Sequence, residues 1–239
     1  MKNELPLFTE ENNHVWKKLF ENQDENKVKG ISDIYLNYLQ ELSLPKDRIP
    51  SLDEINAVLI TKSEWEVIPT QGMVDSSYFF NCLAEKRFPV NVSIRKLSEL
   101  DFAELPDMFH DVVGHLPLLL NQKYSESMQK LGLIAQDYFD DLEVLDVLTK
   151  IYWYYFETGV ISEKGRYKIF GSAIVTSKGE INNVFKVGTT IEHFSVENIK
   201  NEVINPFELQ QKYFYVNDLG DIEKELKVYI EQKKNVKYV

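Results

Sequence analysis

Cysteine is almost missing from this sequence: Cys82 is the one thiol in 239 residues, which excludes an internal disulfide and a thiolate metal cage. No window approaches the ~18 consecutive apolar residues of a spanning helix, so no membrane partner is expected. The opening stretch MKNELPLFTEENN lacks the apolar run of a secretory leader, and a cytoplasmic location follows as the expectation. Basic charge is in deficit: 27 Lys and Arg face 38 Asp and Glu, a formal net charge of -11. That balance argues against a nucleic-acid partner, which requires a basic surface. Internal repeats, low-complexity tracts and Gly/Ser/Pro-rich linkers are also lacking, so residues 1–239 read as a single domain.

What is present is a globular composition, 44% hydrophobic and 13% aromatic. Thr9 before Glu10 and Glu11 has the form of a helix N-cap followed by acids in the first turn. Val15, Trp16, Leu19 and Phe20 then recur at helical spacing. A second helix is predicted to carry Ile31, Ile34, Tyr35, Tyr38 and Leu39. Ser51 and Glu54 form a capping box for a third, with Leu52, Ile55, Val58 and Leu59 on its apolar face. Further helices are predicted near 76–87, 105–115, 124–140, 142–158 and 218–234. From Gly159 the texture changes: YKIFGSAIVTS and NNVFKVG are β-branched, aromatic and broken by glycines, and read as short strands and turns. The expected fold is mainly α with a small β region toward the C-terminal half.

The stretch LPDMFHDVVGHL, from Leu105 to Leu116, holds two of the four histidines, five positions apart. On a regular α-helix, residues five apart differ by about 140° and do not share a face. For His110 and His115 to reach one ion the helix must break between them, and Gly114 with Pro117 supplies a means. Glu157, in IYWYYFETGV, is a candidate third ligand, since a carboxylate in so aromatic a helix end is costly to bury without a partner. Two imidazoles and one carboxylate are the facial triad of non-haem Fe(II) oxygenases. The alternative leaves Glu157 at a helix rim, paired with Lys150 or Arg166.

The segment LPDMFHDVVGHLPLL resembles the signature of the pterin-dependent aromatic amino acid hydroxylases, in which Pro-Asp precedes the first ligand and Gly-His-x-Pro closes the motif. Tyr152, Trp153, Glu157 and Gly159 are similar to the family's third-ligand helix, and FGSAIVTSKGE to its glycine-containing segment. IPSLDEINAVL, VIPTQGMVDSSYFF and TEENNHVWKKLF extend the likeness over nearly the whole chain. It covers a catalytic domain of bacterial type, without the family's regulatory domain or tetramerisation helix, and implies a monomer. The resemblance implies that His110, His115 and Glu157 bind Fe(II). Gly72, Met73, Val74, Phe79, Asp111 and Tyr152 would line a tetrahydropterin site, with Phe79 stacking on the pterin. Arg95 would bind the carboxylate of an aromatic amino acid and Asp107 would steady it. Pro106, Trp153, Thr158, Thr176 and Ser177 would wall the substrate pocket, and Asp111 and Trp153 would stand nearest the chemistry. The implied activity consumes O2 and hydroxylates the ring, phenylalanine to tyrosine being the first expectation.

Some positions depart from the family pattern. The usual Thr-Pro-Glu-Pro-Asp is Ala103-Glu104-Leu105-Pro106-Asp107; a phenylalanine after the glutamate ligand is Thr158; a pterin-side histidine is Pro89 and a glutamate is Asp111. Thr158 would widen and polarise the pocket, which keeps tryptophan, tyrosine or a non-proteinogenic aromatic open as the substrate. A zinc hydrolase with Asp111 as base, although HExxH is absent, and a binding protein without turnover are the readings from other classes.

Overall fold

The computed structural model describes residues 8–26, 30–101 and 105–236, so Ala103 and Glu104 lie outside the described residues. Helix α1 (Glu10–Asn26) starts as expected, with the Thr9 hydroxyl accepting from the Asn12 N–H at 3.2 Å. Helix α2 (Asp33–Leu42) is capped by Ser32, and Ile31, assigned above to this helix, instead forms a lone bridge with Ile169. Helix α3 (Leu52–Ser63) carries the full Ser51–Glu54 capping box.

Next comes a unit the sequence reading missed: strand β1 (Glu66–Thr70), helix α4 (Ser76–Ala84) and strand β2 (Arg87–Asn91). The strands are parallel, with Ile68 opposite Pro89 and Pro69 opposite Val90. Parallel strands need a crossover, which α4 provides, and a proline in each is tolerated because both lie at the edge of a two-stranded sheet. The helix expected to reach residue 87 therefore stops at Ala84. Helix α6 (Gln122–Asp137) crosses α4 closely: a Cβ on Gly132 would fall 2.4 Å from the Ala84 nitrogen.

The segment over 105–115 ends in a π-helical turn, His110–His115, which leads without a break into α5 (Leu116–Leu119). Helix α7 (Leu142–Ile151) likewise passes into a second π-helical turn, Tyr152–Glu157. A four-stranded sheet in the order β4-β3-β6-β5 then closes the fold, built from β3 (Gly159–Glu163), β4 (Arg166–Ile169), β5 (Thr190–His193) and β6 (Lys212–Val216). Lys164 and Gly165, both at positive φ, turn β3 into its antiparallel partner β4. Of the stretches read above as strands, only Arg166–Ile169 is extended. Ser172–Val175 forms α8, because a short apolar run carries no period that separates strand from buried helix, and Lys178–Asn183, reaching into the second of those stretches, forms α9. Helices α10 (Val196–Ile199) and α11 (Asp221–Val236) complete the chain's elements, and the mainly helical expectation holds.

One buried apolar cluster extends from Val15 to Tyr229. Within it Trp16, Phe20 and Phe109 meet edge to face, with centroids 5.3–5.5 Å apart, and anchor α1 against the residue preceding His110. Pro117 brings no N–H to the Val113 carbonyl four residues earlier. The buried Tyr35 hydroxyl donates to that oxygen at 2.7 Å, and Gln23 Nε2 donates to the Tyr35 oxygen at 3.1 Å. Tyr35→Phe should leave the carbonyl without this donor and cost about 1–3 kcal/mol, read as a lower urea midpoint with an unchanged slope.

Candidate metal centre and its two clefts

The two π-helical turns resolve the spacing problem in a way the sequence reading did not anticipate. That reading required the helix to break at Gly114, with Leu116 pushed out of helical geometry by Pro117. Leu116 is helical (φ -66°, ψ -30°), and the turn widens instead. In a helix closed by i→i+5 hydrogen bonds, residues five apart come nearly above one another, so His110 and His115 share a face. Gly114 serves close packing: a Cβ there would lie 2.8 Å from the Ser172 Cβ and 3.2 Å from its Cα. In the second turn the Thr158 N–H donates to the Trp153 carbonyl at 2.9 Å, an i→i+5 bond at the turn that presents Glu157.

The donor atoms of His110, His115 and Glu157 all lie within 4.8 Å of one another. Glu157 Oε1 is 3.1 Å from His115 Nε2, Oε2 is 3.4 Å from His110 Nε2, and the two Nε2 atoms are 3.3 Å apart. Glu157 is buried and meets neither Lys150, which pairs with Asp146, nor Arg166, which is exposed; the rim alternative is thereby overturned. Burial works to raise the Glu157 carboxyl, but the facing imidazoles of His115 and His110 outweigh it and hold the group well below the usual range. His115 is pushed down by burial. His110 is raised because the Glu157 charge overcomes the same desolvation.

Hydrogen bonds behind the donors settle their orientation. The Thr176 hydroxyl donates to the Ser172 carbonyl at 2.6 Å, so its oxygen is left to accept from His110 Nδ1 at 3.2 Å. That places the His110 proton on Nδ1 and frees Nε2 as a lone-pair donor. His115 Nδ1 is buried with no hydrogen-bond partner, while its Nε2 faces the carboxylate. The ring of His115 lies between Phe88 (centroids 4.9 Å) and Tyr152 (5.9 Å, stacked), and the Tyr152 oxygen is 3.5 Å from His115 Nε2. Two imidazole nitrogens and a carboxylate converging in a buried pocket fit a borderline divalent cation such as Fe(II), with further coordination positions left open.

Two clefts meet at this centre. The first, about 220 Å³, is lined by aromatic and backbone groups that include Gly72, Met73, Val74, Phe79, Asp111 and Tyr152, all six of the residues expected there. Phe79 stands edge-on to Tyr152, with centroids 5.0 Å apart. Asp111 is pushed up to about 7 by burial, and its Oδ2 accepts from the Asn91 N–H at 2.7 Å. Asn91 was missed in the sequence. Its side chain also donates to the Pro106 carbonyl at 2.8 Å and accepts from the Gly72 N–H at 3.4 Å, tying three parts of the cleft together.

The second cleft, about 150 Å³, contains Arg95, Pro106, Trp153, Thr158, Thr176 and Ser177. Asp107 stands behind it: Arg95 Nε and Nη2 donate to its two oxygens at 2.8 and 2.9 Å, and both side chains are buried. Asp107 Oδ1 also accepts from the His110 N–H at 3.0 Å, so one carboxylate holds the guanidinium and the start of the ligand-bearing turn. Thr158 turns its hydroxyl onto the Trp153 carbonyl at 3.0 Å, so the expected gain in pocket polarity is not realised. Ser177 Oγ caps α9 at the Glu180 N–H. Glu180 and Gln210 were missed. Gln210 accepts from the Trp153 indole N–H at 3.3 Å and donates its own N–H to Glu180 at 3.0 Å. A glutamine 57 residues from its tryptophan leaves no local signal, whereas Glu180 sat in a segment already singled out.

Comparison with known proteins adds the following. The model of the family described as biopterin-dependent aromatic amino acid hydroxylase matches residues 4–238. A phenylalanine-4-hydroxylase of Ralstonia nicotianae is 33% identical over 75% of this chain and 57% of its own length. One from Vibrio cholerae is 31% identical over 87% of this chain and 72% of its own. The structure of Chromobacterium violaceum phenylalanine hydroxylase with bound iron(III) and 7,8-dihydrobiopterin superposes with a TM-score of 0.90, at 26% identity, over 98% of this chain and 86% of that one. The cold-active enzyme from Colwellia psychrerythraea, in its apo form, gives 0.88 at 28% identity, over 93% and 85%.

Asp107 offers a test of how this centre is held. Burial would raise its carboxyl, yet the Arg95 fork and the N–H groups of His110 and Arg95 hold it below the usual range. A depressed folded-state pKa gives stability that is full above the unfolded value, about 3.9, and lost as pH falls through the folded one. Asp107→Asn should cost about 3–5 kcal/mol in urea unfolding, since Arg95 stays buried without its partner. The part of the gap that belongs to the Asp107 carboxylate should be lost as pH falls below about 4.

Proposed function

The chain belongs to the biopterin-dependent aromatic amino acid hydroxylases, and from that footing we propose that it is a non-haem iron(II) monooxygenase that hydroxylates phenylalanine to tyrosine, consuming tetrahydropterin and O2. The observation that carries this reading is that His110, Glu157 and Pro106 line both clefts, so a metal held by the triad would face both at once. The first cleft, with Phe79, Tyr152 and Phe88, suits a flat heteroaromatic cofactor. The second, with Arg95 near one end and Trp153 on its wall, suits an aromatic amino acid. The Chromobacterium enzyme's bound iron and dihydrobiopterin support the same cofactors here.

His110, His115 and Glu157 would hold iron(II) and the first cleft would hold tetrahydropterin, which together would supply the electrons that activate O2, with one oxygen atom for the substrate ring and one for the pterin. The protein's contribution is placement. Arg95, held rigid by Asp107, offers a charge-assisted hydrogen bond to the substrate carboxylate and so fixes the direction of the ring. Trp153, pinned by Gln210, and Pro106 hold the ring toward the metal-binding face. Phe79 provides a stacking surface in the first cleft, and Gly72, Met73 and Val74 its rim. Asp111 can hold or release a proton beside the pterin at physiological pH. Tyr152 stays a neutral phenol, since burial and the Glu157 charge raise it well above its usual value.

The continuous apolar core from Val15 to Tyr229 supports reading 1–239 as one catalytic domain. A monomer in the cytoplasm is the corresponding proposal, and no helix among the described residues is long and apolar enough to cross a membrane.

The deciding assay follows tetrahydropterin oxidation under O2 with iron-loaded protein, adding phenylalanine, tyrosine or tryptophan in turn. Phenylalanine should accelerate it most and yield tyrosine one for one; faster turnover with tryptophan or tyrosine would reassign the substrate, and none with any would remove the activity. Arg95→Lys should raise the phenylalanine KM by about 10-fold or more, a loss of roughly 1.4 kcal/mol, because a lysine cannot reproduce the planar fork. Iron stoichiometry in that variant should remain at the wild-type level.

A further inference from the structure

Ser172 opens α8 and is fully buried. Its hydroxyl lies 2.6 Å from Glu157 Oε2, with the Phe156 carbonyl at 3.1 Å as a second acceptor. Its carbonyl accepts from Thr176, the hydroxyl whose oxygen faces His110 Nδ1. Its Cβ fills the space a side chain at Gly114 would need. A single small residue therefore touches the carboxylate, orients the partner of one imidazole, and packs beneath the turn that bears both.

The contact with Glu157 makes the two carboxylate oxygens unequal. Each oxygen faces one imidazole, Oε1 at 3.1 Å from His115 Nε2 and Oε2 at 3.4 Å from His110 Nε2, but Oε2 alone also accepts a short hydrogen bond of the charge-assisted kind. An oxygen that already accepts a strong hydrogen bond gives less of its lone-pair density to a cation. Partners of this sort orient metal ligands and tune them, and removing one lowers metal affinity by about 10- to 100-fold. We propose that Ser172 is a positioning residue of the metal centre: by holding Oε2 it makes Glu157 a one-oxygen ligand through Oε1, and keeps a further coordination position open. This rests on the reading of His110, His115 and Glu157 as a metal site.

Cobalt(II) alone is the probe, because its visible absorption reports coordination number without turnover. Ser172→Ala keeps the Cβ under Gly114 and removes only the oxygen. In that variant the carboxylate should turn both oxygens to the metal, and the visible band should weaken and shift from the wild-type band as the coordination changes. Cobalt(II) affinity, by titration, should drop about 10-fold. Ser172→Thr, where it folds by circular dichroism, should restore the wild-type band. A wild-type band in Ser172→Ala overturns the proposal whatever the affinity does. Equal loss of the band in folded Ala and Thr variants overturns it too, since shape and not the hydroxyl would then be at work. Failure of the wild-type protein itself to take up cobalt(II) would instead remove the metal reading, and Ser172's role with it.

Discussion

A carboxylate held among aromatic rings is the constraint on which this architecture turns. Glu157 sits in a helix end whose neighbours are Trp153, Tyr155 and Phe156, where an unpaired charge would cost several kcal/mol. It is tolerated because three groups converge on it from elsewhere: two imidazoles from one turn and the hydroxyl of Ser172 from another. Those groups can converge only if residues five apart share a helix face and if two helix ends approach nearly to contact. The first condition produces the π-helical turn at His110–His115, and the second places Gly114 against Ser172. Carbonyls in and beside these turns take donors beyond the regular helical pattern. Tyr35 supplies the Val113 carbonyl, and Thr158 supplies that of Trp153 twice, through its N–H and its hydroxyl.

The same economy links the metal centre to its two clefts. Asp107 receives Arg95 on one side and the His110 N–H on the other, so the proposed carboxylate anchor and the first proposed metal ligand share one rigid support. Asn91 does the equivalent for the other cleft, joining Asp111, Gly72 and the Pro106 carbonyl. Neither residue needs to touch a reacting atom to matter. Each makes the distance between a binding surface and the metal ligands a property of short, buried hydrogen bonds. Such distances do not vary with the mobility of surface loops.

The proposed metal ligands were legible in the sequence because their residue types are chemically narrow, and because a lone glutamate in an aromatic helix demands a partner. Their geometry was not, since the argument from spacing assumed a regular helix and so required a break. The capping box located α3 well, as Ser51 and Glu54 act within four residues of themselves, whereas the Ser32 cap of α2 went unread and Ile31 was placed in that helix. The strands Glu66–Thr70 and Arg87–Asn91 escaped notice because each is five residues long and contains a proline, which reads as a loop. Ser172–Val175 was mistaken for strand because four buried residues show no period. Gln210, Asn91 and Ser172 share a different kind of opacity. The contacts with Trp153, Asp111 and Glu157 that place them at the site span 15 to 57 residues, and nothing in the local pattern marks them.

Thr158 shows how structure redirects an inference that residue type alone invites. A threonine in place of an aromatic side chain promises both room and a hydroxyl in the second cleft. The hydroxyl is spent on the Trp153 carbonyl, and the residue is 1% exposed. The neighbouring polar groups are committed as well. Glu180 accepts from Tyr213 and from the Gln210 N–H, Gln210 binds the Trp153 indole, and Thr176 is engaged by His110. A substrate ring bearing a hydroxyl or an indole N–H would have to compete for groups already paired, at roughly 1–3 kcal/mol for each polar atom left unsatisfied. A plain phenyl ring makes no such demand. The polar groups around Thr158 are thus already matched to an apolar ring, which accords with the proposed phenylalanine substrate.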